Sequence, residues 1–324
     1  MPHVAFVCLG LVWGTNFIFM KMAVSVLDPL QVVWLRVLFG SAPIVVFALL
    51  RRSLKLYDAR HAHHFLAMSL LANVLPYYFF VKGTEHLASG VAGVISGTIP
   101  LMTLLFAVLF LPTARVSRRK LLGFVAGFAG VALVARRSGP WGTDLEGDLT
   151  GVAYMLCGSV SYASAMIYAH RFVAPLRLSA LQLATYQTAC ASLLLTSTTS
   201  FDGIGAIWTD CPLLLTLGLG LGLIGTGFAF VMYYFIIERL GAVMASSVYY
   251  LPPLVALLIG AAFMDEGLTT TQASGTSLLL GGLYLARKEA EPVAGSARTK
   301  AEARADPLRL HQSQDVRSAG GPRL

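Results

Sequence analysis

The sequence predicts an all-α integral membrane protein of about ten transmembrane helices, arranged as two inverted five-helix repeats. Three observations lead there. The 324 residues are 56% hydrophobic and only 12% charged, against roughly 25% charged in an ordinary soluble domain. The apolar residues gather into runs of about 20, which is what a helix rising ~1.5 Å per residue needs to cross ~30 Å of hydrocarbon. The basic residues, finally, collect between alternate runs rather than between all of them.

Taken in order, the predicted spans are 4–24, 30–50, 65–81, 91–111, 121–135, 149–169, 178–196, 212–237, 243–263 and 273–286. Several are apolar around most of their circumference, whereas a soluble helix of that length keeps a polar face. Unbroken apolar runs select helices over the ~10-residue alternating strands of an outer-membrane barrel. The first span follows Met1-Pro2-His3, with no Lys or Arg before it and no small-residue cleavage pattern after it. It therefore reads as a retained helix and not as a signal peptide. The fifth and tenth spans are short and built mostly of Gly and aliphatic residues, and are expected to pack at the periphery.

Placing the N-terminus inside puts 19 of the 24 basic residues on the inner side. They lie in the loops carrying Arg51, Arg52, Lys55 and Arg60, then Arg115, Arg118, Arg119 and Lys120, then Arg171, Arg177 and Arg239, and in the tail from Arg287. Outer loops receive Arg136 and Arg137. This bias predicts a multi-pass protein of the cytoplasmic membrane with both termini cytoplasmic. The domain reading is a first repeat over 1–136, an outer connecting loop over 137–148, a second repeat over 149–287 and a disordered basic tail over 288–324. The tail lacks the large apolar residues a core requires. The net charge of +8 is explained by sidedness, so no nucleic-acid partner is expected.

The two halves correspond along the chain. Cys8, Trp13 and Lys21 match Cys157, Tyr162 and His170 at an offset of 149 residues. Glu85, Leu87 and Pro100 match Glu238, Leu240 and Pro253 at 153, and Gly123 and Gly130 match Gly275 and Gly282 at 152. Five spans per half, an odd number, make the second half enter the membrane from the opposite side. That is the inverted-repeat architecture of many secondary transporters.

Trp13-Gly14-Thr15-Asn16-Phe17 through Lys21, Asp28-Pro29 followed by Trp34-Leu35-Arg36, Leu240-Gly241-Ala242, Pro252-Pro253, and Glu266-Gly267-Leu268-Thr269 with Gln272 together resemble the EamA-type transporters of the drug/metabolite transporter superfamily. The resemblance covers about residues 4–288. It implies export or uptake of amino acids, other metabolites or drugs. Ala114 stands where the second repeat has Glu266, and Tyr162 replaces the tryptophan often found in the sixth helix; these departures bear on the substrate and not on the fold.

Candidate site residues follow from two patterns. Gly97 and Pro100 in the fourth span and Pro252 and Pro253 in the ninth are helix-break candidates at matched positions, the best sequence pointer to a transporter site; the competing reading is that small residues there only let helices pack. Trp13 and Asn16 share one helix face with Met20. With Asn73, Tyr77, Tyr162, Tyr234, Tyr249 and Tyr250 they form an aromatic and polar lining suited to an amphipathic ligand, against the alternative of aromatic packing and interface belts. Arg36 is expected to be structural, bracing helices through Asp28 or through neighbouring helix-end carbonyls. Lys21 reads as an interfacial anchor, and Glu85 and Glu238 as interface caps.

No HExxH, Walker-type or GxSxG motif is present. His61, His63 and His64 lie in a basic loop without suitably spaced acids or thiols, so no metal and no cofactor is expected. The partners implied are a small-molecule substrate and the lipid bilayer; a coupling ion such as the proton stays open. The reading is a secondary transporter for a small amphipathic metabolite, with export as the favoured direction. The alternative is a membrane-embedded enzyme or a non-transporting sensor or scaffold.

Overall fold

The structure is a computed structural model that describes residues 2–54, 60–111, 117–135, 145–264, 266–267 and 269–287; the side chains of 145–148, 180, 206, 234, 237–238 and 241–246 lie outside that description. The expected basic tail over 288–324 and most of the expected connecting loop over 137–148 fall outside it as well, while residues 145–148 already belong to a helix.

The described residues form helices and turns. They are α1 (Pro2–Val24), α2 (Pro29–Leu50), α3 (Ala62–His86), α4 (Ser89–Phe110), α5 (Arg118–Ala135), α6 (Leu145–Tyr168, continued by tighter and wider turns to 176), α7 (Ala180–Thr198), α8 (residues 211–246), α9 (Ser247–Phe263) and α10 (Thr270–Arg287). Six segments are long and apolar enough to cross a membrane: Pro2–Val24, Pro29–Leu50, Ala62–His86, Ser89–Phe110, Leu149–Leu176 and Cys211–Tyr233; Ser247–Phe263 is a shorter apolar helix. Exposed Val4, Val46, Leu50, Leu109, Leu122 and Leu258 give the bundle the apolar exterior that lipid requires.

Each helix of the first half packs on the second half: α1 on α8 and α9, α2 on α7 and α8, α3 and α4 on α6, α4 on α9, and α5 on α10. Backbone meets backbone between α5 and α10. A Cβ on Gly123 would stand 2.5 Å from the Gly282 carbonyl oxygen, and one on Gly130 would stand 2.5 Å from that of Gly275. No residue but glycine permits this approach.

Four helices depart from regular α geometry for local reasons. In α3 a widened turn over Leu70–Val74 precedes Pro76, where a ring without an N–H would strain a regular turn. It frees the Leu71 carbonyl, which accepts from the Ser161 hydroxyl of α6 at 2.9 Å. In α8 the run Leu215–Phe228, rich in glycine, is wound with the same wide turns. α4 is interrupted at Gly97–Thr98, where the amides of both residues reach back three residues instead of four. α9 opens with a tight turn over Ser247–Tyr250 just before Pro252 and Pro253.

One boundary differs from the sequence reading. The expected loop near 238–242, between the eighth and ninth spans, carries helical backbone continuous from Ala229 to Ser246. Ile-Glu-Arg-Leu is a run of helix-compatible residues without Pro or Asn, so local propensity favours continuation.

Candidate functional site

A cavity of about 250 Å³ lies at the centre of the bundle, lined from both halves. α1 contributes Trp13, Asn16, Phe17 and Met20; α2 contributes Arg36; α3 contributes Met68, Ala72, Tyr77 and Phe80; α4 contributes Ser96 and Ile99. From the second half come Tyr162, Ala165, Met166 and Ala169 beside α6, Leu183 and Gln187 of α7, Phe230 and Tyr233 of α8, and Tyr249 and Pro252 of α9.

The walls are aromatic. Trp13 stacks on Tyr249 with ring centroids 5.0 Å apart and lies 5.6 Å from Tyr233. Opposite them Phe17, Phe80, Tyr162 and Tyr77 form a chain of rings at 5.8 to 6.3 Å. Such pairs hold one another in place while offering flat apolar faces to a ligand.

The polar groups are few and deep. The Asn16 amide donates from Nδ2 to the Gly225 carbonyl at 3.3 Å, while its Oδ1 has no partner. The wide turns of α8 leave the Gly225 carbonyl available. Arg36, 5% exposed, donates from Nε to the Thr226 hydroxyl at 3.0 Å, contacts the Met20 sulfur from Nη1 at 3.5 Å, and lays its guanidinium 3.9 Å above the Tyr77 ring. Thr226 in turn donates to the Leu221 carbonyl at 2.9 Å. Gln187 Oε1 is buried without a partner.

Of the residues expected to line a site, the structure brings together Trp13, Asn16, Tyr77, Tyr162 and Tyr249. Asn73 is fully buried in the widened turn of α3, away from the cavity lining, with neither amide atom partnered. Tyr250 packs against the main apolar core. Tyr234 belongs to α8, but its side chain lies outside the description. Its neighbour Tyr233 meets Trp13.

Among the break candidates, Pro252 lines the cavity. Gly97 closes the first half of α4, and Pro100 opens the second. A Cβ on Gly97 would stand 2.9 Å from Pro253 Cγ, so α4 and α9 cross where each is interrupted.

Arg36 of α2 bonds to Thr226 of α8 and not to Asp28. Asp28 caps α2 instead, accepting from the Leu30 amide at 2.9 Å. Sequence reasoning did not single out Arg36, Tyr233 or Phe230 as cavity residues, nor tie Glu266 to the start of α4. Glu266 accepts from the Ser89 amide at 2.6 Å, the Ser89 hydroxyl at 2.9 Å and the Gly90 amide at 2.8 Å, which caps α4. Lys21 reaches the Glu85 carbonyl at 3.1 Å, and Glu85 pairs with Lys82.

An all-helical bundle with apolar membrane-length segments and a central amphipathic cavity defines a polytopic membrane transporter. The model of the EamA-like transporter family matches residues 1–136 and 149–287; the chain belongs to that family. It is 28% identical over 269 residues, 82% of this chain and 83% of the relative, to a protein of Escherichia coli (strain K12) named as an uncharacterized inner membrane transporter, YedA. It is 24% identical to an uncharacterized transporter of Archaeoglobus fulgidus over 84% of this chain and 94% of that protein. A solved crystal structure at 21% identity matches with a TM-score of 0.58 over 91% of this chain and 98% of its own, which supports the fold.

Proposed function

We propose that this chain is a secondary transporter that exports a small amphipathic metabolite across the cytoplasmic membrane by alternating access, with ten spans in two inverted repeats and both termini cytoplasmic. The observation that carries this is the central cavity, lined from both halves and bordered by two interrupted helices that cross at their breaks. A volume of about 250 Å³ lies near the small end of the ~300–1,000 Å³ typical of ligand sites. A compound of metabolite size fits that space better than a large drug.

Local details support the repeat. Asp28 with Gln31 caps α2, and Ser179 with Gln182 caps α7 at corresponding positions. Ser117 accepts from the Lys120 amide before α5 as Thr269 accepts from that of Gln272 before α10. The reciprocal contacts Gly123 to Gly282 and Gly130 to Gly275 are the pattern a pseudo-two-fold axis between α5 and α10 produces. No Walker-type motif is present, which favours an ion gradient, exchange or the substrate's own gradient as the driving force.

The test is substrate counterflow in proteoliposomes for Trp13→Ala beside the parent protein. Trp13 stacks on Tyr249 across the cavity, so we expect about a tenfold or greater loss of flux at unchanged membrane abundance, equivalent to losing about 1.4 kcal/mol of substrate interaction. Unchanged flux in Trp13→Ala, and in cysteine replacements of Asn16 and Tyr162 that substrate fails to shield from a thiol reagent, removes this cavity as the substrate site.

A further inference from the structure

Every hydrogen-bond partner of the Glu266 carboxylate is a donor. Oε1 accepts from the Ser89 amide and hydroxyl, and Oε2 from the Gly90 amide. Two glycines form the cradle around it. A Cβ on Gly90 would stand 3.1 Å from Oε2, and one on Gly260 of α9 would collide with the same oxygen. The carboxylate therefore fills the gap between the start of α4 and the end of α9 and joins the two halves. Among the described residues, the charged and titratable groups near it are Lys21 of α1, Lys82, Glu85 and His86 of α3, and Tyr154 of α6. The Lys21 ammonium lies in the field of Glu266 and Glu85 and donates to the Glu85 carbonyl; Lys82 pairs with Glu85, and His86 stacks on Tyr154. The facing parts of α4, α5, α9 and α10 carry none.

This arrangement suits the ionised carboxyl group and not the protonated one. A protonated carboxyl carries an O–H where its surroundings supply only N–H groups and one hydroxyl. At best the Ser89 hydroxyl turns to accept, and the two amides are left bonding to a neutral group, roughly half as strongly. The attraction of the helix N-terminus for negative charge is lost as well. The repeat makes the device one-sided. Glu266 corresponds to Ala114, and Ser89 and Gly90 correspond to Ala242 and Val243; alanine supplies no carboxylate for the matching contact at the cytoplasmic end. The contact between the halves at that end, His64 Nδ1 with the Tyr168 hydroxyl at 2.8 Å, is open to either protonation state of the imidazole, because a phenol both donates and accepts. We propose that Glu266 is the proton-binding site of the outer gate: a proton from external water adds to one carboxylate oxygen and releases α4 from the second half. The latch is closed at higher external pH and opens as that pH falls, while internal pH does not act on it. The inference rests on the transporter reading, because it takes the latched end to be outside and the two halves to move.

The experiment uses the full-length protein with its four cysteines replaced by serine and a single cysteine at Trp13, in right-side-out vesicles treated with a membrane-impermeant maleimide. Thiol chemistry itself depends on pH, so labelling is expressed relative to a single cysteine at Gly205, an exposed loop position. External pH is lowered from about 7.5 to about 4.5, which reaches the ordinary carboxylate range. The relative labelling is expected to rise about threefold or more, the scale of a charge lost at a helix N-terminus. Lowering internal pH alone is expected to leave it unchanged. Glu266→Gln, which cannot be ionised, is expected to label at the high level at both external pH values. Should that variant fail to fold, the external and internal series on the parent protein decide. A relative labelling that ignores external pH overturns the proposal, as does a pH response that survives in Glu266→Gln or one that internal pH reproduces. A Trp13 cysteine that stays unreactive from outside under every condition, Glu266→Gln included, overturns alternating access together with the latch; a reactive one whose labelling ignores external pH overturns the latch alone.

Discussion

At the scale of single residues, Glu266 shows how one side chain closes an end of the bundle. Its carboxylate accepts from three donors at the start of α4, where unpaired amides and the helix dipole favour negative charge. Glu266→Ala leaves those donors to water, and we expect a loss of about 1–2 kcal/mol, read as a lower melting temperature of the purified protein. An unchanged melting temperature would show that water replaces the carboxylate at no cost. Glu266 stood in the family-like motif after the ninth span, yet nothing in the sequence tied it to Ser89. That pairing joins residues 177 positions apart, which local pattern cannot reveal. Trp13 and Asn16 were legible because a polar amide and an indole three residues apart in an apolar helix need a common destination. The sequence reads Arg36 as a brace and not as a cavity residue. Sequence position fixes depth in the membrane, while the direction a side chain takes depends on the partners around it.

At the scale of elements, the contact of α5 with α10 makes neighbouring glycines unequal. A Cβ on Gly282 would stand 2.5 Å from the Gly123 carbonyl oxygen and 2.6 Å from the Gly127 amide nitrogen, whereas one on Gly281 meets nothing within 4 Å. Gly282→Ala is therefore expected to destabilise the protein by about 1–3 kcal/mol through overpacking. Gly281→Ala is expected to be neutral or to stabilise by up to about 1 kcal/mol through helix propensity. Melting curves of the two proteins in one detergent check the contrast, and equal effects would remove the account. The glycine pattern was readable, as was the break in α4, because Gly97 and Pro100 state their backbone preferences openly. The wide turns over Leu215–Phe228 were not readable, since glycine permits them without requiring them. They carry more residues per turn than an α-helix, so every side chain beyond them is rotated relative to a regular count. The structure turns Tyr233, which lies beyond those turns, toward Trp13. The same phase shift hides the meeting of Asn16 with the Gly225 carbonyl.

At the scale of the whole molecule, a carboxylate and an amide side chain tie the two halves together at one end. The cavity extends toward the other, where His64 Nδ1 and the Tyr168 hydroxyl also join the halves at 2.8 Å. Glu266 holds the start of α4, and Gln31 donates from Nε2 to the Ser200 and Asp202 carbonyls at 3.0 and 2.7 Å. Both contacts cross between the halves, and both lie at the end of the bundle where α1 ends and α2 begins. The cavity lining reaches away from that end to Met68, Ala169 and Leu183, near the chain segments that carry the basic loops. With the orientation we propose, the latched end is outside, and the cavity extends toward the cytoplasm. Reporters fused after residues 55 and 118 are then expected to read cytoplasm, and an external signal at either breaks the orientation. Access to the cavity follows from the same geometry. In a protein whose Cys8, Cys157, Cys190 and Cys211 are replaced by serine, a single cysteine at Ala169 is expected to react with a membrane-impermeant maleimide in inside-out vesicles. In right-side-out vesicles the latched end keeps it protected. Opening to the outside must break the carboxylate contacts at Ser89 and Gly90, so adding Glu266→Ala is expected to raise labelling of a single cysteine at Trp13 in right-side-out vesicles. If Glu266→Ala leaves that labelling unchanged while lowering the melting temperature, the carboxylate stabilises α4 without controlling access. The crossing of α4 and α9 at Gly97 and Pro253 would then be the next contact to test as the point about which the halves move.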